Sequence, residues 1–329
     1  MALFLADLHS FIIYSYVGTA IILALAYILF EVLRTSSSKL KSQVYFSALI
    51  VPPVSYVILH VLLRKPCGIL PWNLEGRIAE IYNAICSIGA KAIDILVPLF
   101  GVAFIIGILK GIISIIACRR LITKYGFVNR DEAPELFEVL HIVAEQIGIE
   151  VPKLIIVPNE KSKAFTFGIR QPVVVISDGI LQQLAGEDIE HILKHECAHI
   201  KRDDVLTNWL AVMIRDMSFF NPFTHWAFSA YVAAKEEASD DLAIQTGLNP
   251  YEYGTTLIKM WRNSKENTLT NVLFNNISPN PGFLKKAAAF EKRVSRMLAW
   301  EENTNEVKFF KVYFSVILLF SVMILAFVC

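Results

Sequence analysis

The residues with the clearest chemical potential form the run His195-Glu196-Cys197-Ala198-His199, which has the pattern H-E-x-x-H. The surrounding sequence predicts a helix from Glu187 to Lys201. Residues four apart on a helix share a face, so the two imidazoles can hold one metal ion, and zinc favours nitrogen ligands. Glu196 can then take a proton from a metal-bound water. The pattern therefore predicts two zinc ligands and a general base, which suffice for metal-assisted peptide hydrolysis.

A chance match on an ordinary amphipathic helix is the alternative, because H-E-x-x-H is short. Three features favour the catalytic interpretation. The flanking residues are apolar, as a buried active-site helix requires; they are Ile192, Leu193, Ala198 and Ile200. An acidic segment downstream offers a third ligand, and the order of segments around the motif resembles a known family, described below.

The third ligand is expected in the segment K-E-E-A-S-D-D-L-A from Lys235 to Ala243, which is predicted to be helical. A catalytic zinc usually has three protein ligands and leaves a fourth position to water. Glu237 and Asp241 are four apart, so we predict Glu237 as the ligand and Asp241 as a hydrogen-bond partner of a ligand imidazole. Glu236 is the rival ligand, about a quarter-turn round the helix. A solvated acidic face is the remaining alternative.

The composition indicates a membrane protein. The chain has 329 residues, of which 55% are hydrophobic and 19% charged, and its mean hydropathy is +0.50. The net charge of +1 gives no reason to expect a nucleic-acid partner. Four stretches approach the roughly 20 apolar residues that span a bilayer, at about 11–33, 45–63, 92–117 and 312–328. A soluble protein with buried core helices is the alternative to four transmembrane helices.

Basic residues predict the orientation of these spans, because cytoplasmic flanks are rich in lysine and arginine. Most of them fall on one side of the membrane: Arg34, Lys39, Lys41, Arg119, Arg120, Lys124, Arg130, Lys308 and Lys311. We therefore expect a multi-pass protein of a bacterial-type inner membrane, with both termini outside. The predicted domains are a three-span region at 1–118, a cytoplasmic zinc peptidase domain at 119–306 and a last span at 307–329.

The predicted peptidase domain begins with a helix opened by Ala133-Pro134-Glu135 and closed at Gly148. A strand is expected at 152–158, and a hairpin at 165–168 and 172–176. Zinc peptidases often bind an extended substrate along a strand edge. The edge expected here consists of Ala164, Phe165, Thr166, Phe167 and Gly168. A purely structural sheet is the alternative.

The stretch from about 206 to 232 is amphipathic and rich in aromatic residues, and Asn221-Pro222 interrupts it. Two helices lying at the membrane interface would explain this pattern, and a re-entrant hairpin is the alternative. The asparagine-rich segment at 263–281 is predicted to be a solvated linker rather than a lid over the cleft.

Taken together, these segments resemble the BlaR/MecR-type integral membrane zinc peptidases, the protease part of bacterial β-lactam sensor-transducers. The resemblance runs from about Leu136 to Leu298. The segments that carry it are Phe165-Thr166-Phe167-Gly168, Pro172-Val173-Val174-Val175, His195-Glu196-x-x-His199 followed by Asp204, Phe220-Asn221-Pro222-Phe223 with Trp226, Glu237-x-x-x-Asp241, and 289–298.

The resemblance implies a mainly helical α+β membrane protein. Four transmembrane helices would accompany a gluzincin-type metalloprotease domain with a small β-sheet and one Zn²⁺ per chain. Asp204 and Asp241 would support the zinc ligands. The expected partners are the lipid bilayer and a protein or peptide substrate, which could be a repressor or the protein itself. A homodimer is an open alternative, and no C-terminal penicillin-binding sensor domain is expected, because the sequence ends at Cys329.

Two alternatives to this function remain. Ser162-Lys163-Ala164 replaces the Ser-Pro of the BlaR/MecR family, and A-F-x-x-G resembles the HtpX and prenyl-protein protease group of membrane quality-control or processing peptidases. A non-catalytic signalling scaffold with a structural zinc site is the other alternative. Catalysis would also use a second electrophile on the transition state, for which His225, Arg215 and Tyr231 are the available residues.

Overall fold

The structure is a computed structural model that describes residues 2–32, 37–58, 77–159, 163–263 and 283–300. The described chain is mainly helical, with one small sheet. The helices are α1 (Ala2–Val32), α2 (Ser38–Tyr56), α3 (Arg77–Tyr125), α4 (Pro134–Ile147), α5 (Asp178–Gln183), α6 (Gly186–Lys201), α7 (Asp204–Met217), α8 (Pro222–Gln245), α9 (Pro250–Asn263) and α10 (Phe283–Leu298). The strands are β1 (Lys153–Val157), β2 (Ala164–Phe167) and β3 (Val173–Ser177).

The described residues form two compact units. The first contains those up to Leu109 together with Ala211–Val232, and the second contains Lys110–Leu210 and the residues from Ala233 onward. The predicted last span lies outside the described residues, as does almost all of the asparagine-rich segment. The division of the chain predicted from the sequence stays a prediction.

The first unit is held together by α1, α2 and the parts of α7 and α8 that belong to it. Its buried cluster includes Ile22, Leu23, Val44, Ala48, Leu49, Ala211, Ala227, Phe228 and Tyr231. The fully buried Asn221 amide donates to the Ser15 carbonyl at 3.0 Å, and the Asn221 side-chain oxygen accepts from the Phe223 amide at 3.0 Å. Asn221 thus caps the start of α8, where the following proline needs no hydrogen-bond acceptor.

Within the described residues, one helical segment is long and apolar enough to cross a membrane, namely Gly101–Tyr125. Many of its large apolar side chains are exposed, for example Ile105 at 58% and Ile115 at 57%, whereas Leu121 is buried. Tyr14–Ile28 is a shorter apolar helix. The predicted four transmembrane helices are therefore not confirmed. Helix α2 contains several polar residues and Pro52-Pro53, which lower its mean hydropathy. Two of its polar residues, Ser42 and Ser47, are buried.

The second unit contains a three-stranded sheet in the order β1-β3-β2. β1 runs parallel to β3, and β2 pairs antiparallel with β3 in the register Phe165↔Val175. The predicted hairpin of β2 and β3 is thus confirmed. All five residues of β3 are buried, as expected for a central strand, and this leaves β2 at an edge of the sheet.

The motif helix α6 packs against this sheet and against α4. The shared core includes Leu140, Val143, Leu154, Val174, Ile176, Ile192, Leu193 and Cys197. Cys197 is fully buried, and burial raises the pKa of its thiol to about 12, as the neighbouring Glu196 also does. The cysteine inside the motif is therefore a core residue.

A buried polar chain joins the start of α6 to α9. The Asp188 carboxylate accepts from the Ala185 amide at 3.3 Å, from the Lys259 ammonium at 2.8 Å and from the Thr256 hydroxyl at 2.6 Å. Thr256 also lies 2.8 Å from His191 Nδ1. These contacts hold α9 beside the face of α6 that carries the histidines.

Helix α8 is longer than the sequence indicated. The sequence suggested that the aromatic stretch ends near 232 and that a separate helix carries the acidic residues. One continuous helix from Pro222 to Gln245 contains both, because the segment between them has no helix-breaking residue.

We expect the Gly168→Ala variant to lower the free energy of unfolding by about 1–3 kcal/mol, because a residue with a side chain is strained there. Gly168 follows β2 with φ 89°, and an added Cβ would lie 2.3 Å from the Gln171 carbonyl oxygen. Gly186→Ala is the matched control, since nothing lies within 4 Å of its Cβ position. Thermal unfolding in detergent measures both, and equal midpoints would contradict the prediction.

Candidate metal centre

The two motif histidines face each other across one turn of α6. Their ring centroids are 4.7 Å apart, and the Nε2 atoms of His195 and His199 are separated by 3.1 Å. Two nitrogen ligands of a tetrahedral zinc, each about 2.0–2.1 Å from the ion, would be about 3.3 Å apart. The spacing of the two nitrogens therefore suits binding to a single ion.

The outer nitrogen of each motif histidine is Nδ1, the ring nitrogen that does not face the other histidine. In His199 this atom contacts two side chains. Nδ1 lies 2.7 Å from Asp204 Oδ2 and 3.0 Å from the Ser239 hydroxyl, which itself donates to Asp204 at 3.2 Å. Burial raises the pKa of Asp204, but the hydrogen bond and charge of His199 and the charges of Arg202 and Lys235 outweigh it and lower that pKa. A carboxylate at Nδ1 places the ring proton there and leaves the Nε2 lone pair available.

The outer nitrogen of His195 is held from α8 and α9. Its Nδ1 lies 3.1 Å from Asp240 Oδ1 and 2.9 Å from the Tyr253 hydroxyl, which donates to Asp240 at 2.7 Å. Burial disfavours the imidazolium, yet the hydrogen bonds of Asp240 and Glu236 raise the pKa of His195 to about 9. Burial and the neighbouring Asp240 raise the pKa of Tyr253 well above its ordinary value, so its hydroxyl stays a donor.

The acid beside the two histidines is Glu236. Its carboxylate oxygens lie 3.6 Å from His195 Nε2 and 3.8 Å from His199 Nε2, and the three groups can offer ligand atoms within 4.8 Å of one another. Burial raises the pKa of Glu236, but the charge of His199, the hydrogen bond of His195 and the charge of Lys235 lower it well below the ordinary range. Glu236 is therefore ionised, as a metal ligand must be.

The structure places Glu237, which the sequence predicted as the third ligand, outside the cluster of His195, His199 and Glu236. Its Oε1 lies 2.7 Å from Lys292 Nζ of α10, and it is not part of the histidine cluster. Asp241 pairs with Arg296, whereas Asp240 lies beside His195. In both cases the residue near the histidines is the one before the predicted residue, and adjacent side chains on a helix point about 100° apart.

The predicted base Glu196 lies on α6 beside His195, and its side chain contacts the edge strand. The Thr166 hydroxyl of β2 donates to Glu196 Oε2 at 2.9 Å. Glu196 is 7% exposed, so this hydrogen bond restricts a carboxylate that is largely shielded from solvent. The predicted edge residues from Ala164 to Gly168 comprise β2 and the glycine that follows it.

The donor set as a whole fits zinc. It consists of two imidazole nitrogens and a carboxylate, which is an established catalytic combination for this metal. Both imidazoles have carboxylate partners at Nδ1, so both Nε2 lone pairs can point at one ion. Lys235 Nζ lies 3.6 Å from Glu236 Oε1, and Arg293 Nη1 lies 3.5 Å from Glu236 Oε2.

The three residues considered as a second electrophile all belong to the first unit. His225 Nε2 lies 3.2 Å from the Phe219 carbonyl, Arg215 pairs with Asp216, and Tyr231 is buried in the apolar cluster of that unit. Their role in stabilising a transition state stays a prediction.

Sequence reasoning missed four residues of the centre, namely Ser239, Asp240, Tyr253 and Arg293. Arg293 makes two hydrogen bonds to the Asp240 carboxylate, at 2.7 Å and 2.8 Å. Asp240 could have been found, because it lies four residues after the rival ligand Glu236, the same spacing that was applied to Glu237 and Asp241. No sequence signal pointed to Tyr253, since it lies in a separate helix without a recognisable motif.

Comparison with known proteins agrees with this centre. Residues 79–279, more than half of the chain, match the family model described as BlaR1 peptidase M56. The chain belongs to this peptidase family. Family membership identifies the chain as related to membrane metallopeptidases, and the cluster of two histidines and a glutamate lies within the matched residues.

Several curated relatives of this family member are each named a protease HtpX homolog. That of Thermococcus sibiricus is 41% identical over 90 residues, 26% of this chain and 30% of that protein. That of Pyrococcus abyssi is 31% identical over 147 residues, 42% of this chain and 50% of its own length. That of Methanocaldococcus jannaschii is 29% identical over 151 residues, 42% of this chain and 51% of its own length. The chain thus matches about half or less of each relative.

We expect Glu236→Gln to weaken zinc binding more than the about 10- to 100-fold typical of an altered supporting residue, because a charged ligand is removed. Glu237→Gln is the matched control and should leave the affinity unchanged, since Glu237 pairs with the exposed Lys292. Competition with a chelating dye measures both affinities. Loss of zinc in the Glu237 variant alone would instead support the original assignment.

Proposed function

We propose that this chain is an integral membrane zinc endopeptidase with His195, His199 and Glu236 as metal ligands and Glu196 as general base. The observation that carries the proposal is the convergence of the two Nε2 atoms and the Glu236 carboxylate within 4.8 Å. The Lys and Arg distribution supports action at the cytoplasmic face of the membrane.

The chemistry of each residue follows from its position. When bound, zinc supplies the Lewis acidity that activates water and polarises the scissile carbonyl. Glu196 accepts the proton of the attacking water and returns it to the leaving amine. Asp204 and Asp240 keep the histidine protons on Nδ1, so that both Nε2 atoms remain ligands. Thr166 holds the Glu196 carboxylate in one orientation.

The edge strand β2 is the proposed binding edge for an extended peptide. It pairs with β3 on one side, and the same strand contacts the base through Thr166. A peptide added to the side of β2 that pairs with no described strand would use main-chain hydrogen bonds, which carry little sequence preference. The proposed substrate is therefore an unfolded or extended segment of a protein.

An HtpX-like role in membrane quality control or processing is the better supported form of this function. The relatives described above carry the name protease HtpX homolog, and A-F-x-x-G in β2 agrees with that group. Cleavage of a repressor, as in BlaR/MecR-type signalling, is the second candidate, which the match to the family described as BlaR1 peptidase M56 favours. Substrate trapping with an inactive Glu196 variant in native membranes would separate them.

A non-catalytic scaffold with a structural zinc site is a weaker candidate. A structural site needs four protein ligands and no base. Among the residues that the structure describes, the cluster contains three ligand groups, and the adjacent Glu196 carboxylate accepts a hydrogen bond from Thr166. Both features support catalysis.

We expect Glu196→Gln to abolish cleavage while zinc content and thermal stability stay at wild-type values, because the amide cannot accept the proton. Casein hydrolysis or self-cleavage measures activity, and metal analysis of the purified protein measures zinc. Removal of zinc with a chelator should inactivate the wild type, and added zinc should restore it. A Glu196→Gln protein that cuts at the wild-type rate would rule out the assigned role.

We expect Thr166→Val to lower kcat about tenfold or more, since a hydrogen bond to a charged group contributes about 1.5–3 kcal/mol and each 1.4 kcal/mol changes a rate about tenfold. Thr166→Ser keeps the hydroxyl and should retain most of the activity. Zinc affinity should be equal in both variants, because the Thr166 hydroxyl donates to Glu196 and not to a histidine. An unchanged kcat in Thr166→Val would show that Glu196 needs no such donor.

A further inference from the structure

Helix α10 presents a row of basic side chains to the acidic segment of α8. Lys292 pairs with Glu237 at 2.7 Å, Arg293 with Asp240 at 2.7 Å, and Arg296 with Asp241. The three basic residues recur within about one turn of α10, so they lie along one side of it. The row therefore joins α10 to the part of α8 that contains the third metal ligand.

Arg293 differs from Lys292 and Arg296 because its acidic partner, Asp240, also lies beside a motif histidine. It binds both oxygens of Asp240, which is fully buried, and Asp240 Oδ1 lies 3.1 Å from His195 Nδ1. The third nitrogen of the Arg293 side chain, Nη1, lies 3.5 Å from Glu236 Oε2. The Arg293 guanidinium thus contacts both Asp240, which supports His195, and Glu236, the proposed third ligand.

We propose that Arg293 is a positioning residue of the zinc centre, so that α10 is a structural part of the active site. This inference rests on the proposed zinc peptidase function. The guanidinium fork holds the Asp240 carboxylate in the orientation that accepts the His195 Nδ1 proton, and its charge keeps Glu236 and Asp240 together. Arg293 touches neither substrate nor metal in this role.

The energetic reason is the burial of Asp240. A carboxylate with no exposed surface is stable only when it is paired, and Glu236 nearby carries a second negative charge. Without Arg293, the Asp240 carboxylate would lose its counter-charge and the two hydrogen bonds that orient it toward His195. A reoriented carboxylate no longer keeps the Nδ1 proton in place, which leaves the Nε2 lone pair less available to the metal.

The docking of α10 does not depend on Arg293 alone. Met297 is 1% exposed and packs in a cluster with Ala243, Ile244, Leu248, Tyr253 and Leu257. The Phe290 ring also stacks on Trp261 with centroids 4.6 Å apart. Loss of the Arg293 charge should therefore disturb the metal centre while α10 stays in place.

The test compares Arg293→Met with Arg296→Met in the full chain. Both variants remove an arginine that pairs with an acid of α8, but Asp241, the partner of Arg296, is outside the histidine cluster. Zinc affinity by dye competition, kcat, KM and the thermal midpoint are measured for each. We expect Arg293→Met to bind zinc about 10- to 100-fold more weakly and Arg296→Met to match the wild type.

Two further variants keep the test informative if Arg293→Met does not fold. Arg293→Lys retains the charge without the two-pronged hydrogen bonding, so its zinc affinity should be intermediate. The double variant Arg293→Met with Asp240→Asn removes the charges of both partners, so Asp240 is not left as an unpaired buried carboxylate. This protein should fold but still bind zinc weakly, because an amide oxygen accepts a hydrogen bond less strongly than a carboxylate.

The outcomes separate the two proposals. Equal zinc affinities of the Arg293 and Arg296 variants, in a wild type that binds zinc and cleaves, would overturn the positioning role and leave the peptidase assignment intact. A wild-type protein that binds no zinc would overturn both. Weaker zinc binding in Arg293→Met, recovered by excess zinc without a change in KM, is the result that supports positioning.

Discussion

The metal centre depends on the outer nitrogens of its two histidines. An imidazole binds a metal through one nitrogen only if its proton is kept on the other. Asp204 accepts at 2.7 Å from His199 Nδ1, and Asp240 lies 3.1 Å from His195 Nδ1. These two buried carboxylates determine where the lone pairs of the Nε2 atoms point, and the other features of the centre follow from the need to keep the carboxylates charged.

Buried carboxylates need counter-charges, and these come from different parts of the chain. Arg202, two residues before Asp204, approaches it at 3.2 Å, whereas Arg293 reaches Asp240 from α10 at 2.7 Å. Tyr253 of α9 adds a neutral donor to the same carboxylate. The centre is thus assembled from α6, the first residue of α7, α8, α9 and α10, and the polar chain through Asp188 holds α9 against α6.

The same unit connects the proposed base with the proposed binding edge. β2 is an edge strand because β3 pairs with it on one side, and its Thr166 hydroxyl contacts Glu196. A peptide aligned along this strand would lie beside the carboxylate that accepts the proton. One short strand can thus orient substrate and base together, and this fits the H-E-x-x-H chemistry of a zinc endopeptidase.

Local features could be predicted from the sequence because their causes lie within a few residues. The motif helix, the hairpin of β2 and β3, and the end of α4 at Gly148 in a left-handed conformation all follow from spacing and turn chemistry. The choice between Glu236 and Glu237 does not, since both lie on the same helix and only its packing determines which one faces the histidines. Tyr253 and Arg293 lie 58 and 98 residues beyond His195 in the sequence. Tertiary structure alone brings them to the centre, because the pairing of a buried carboxylate depends on which helices meet around it.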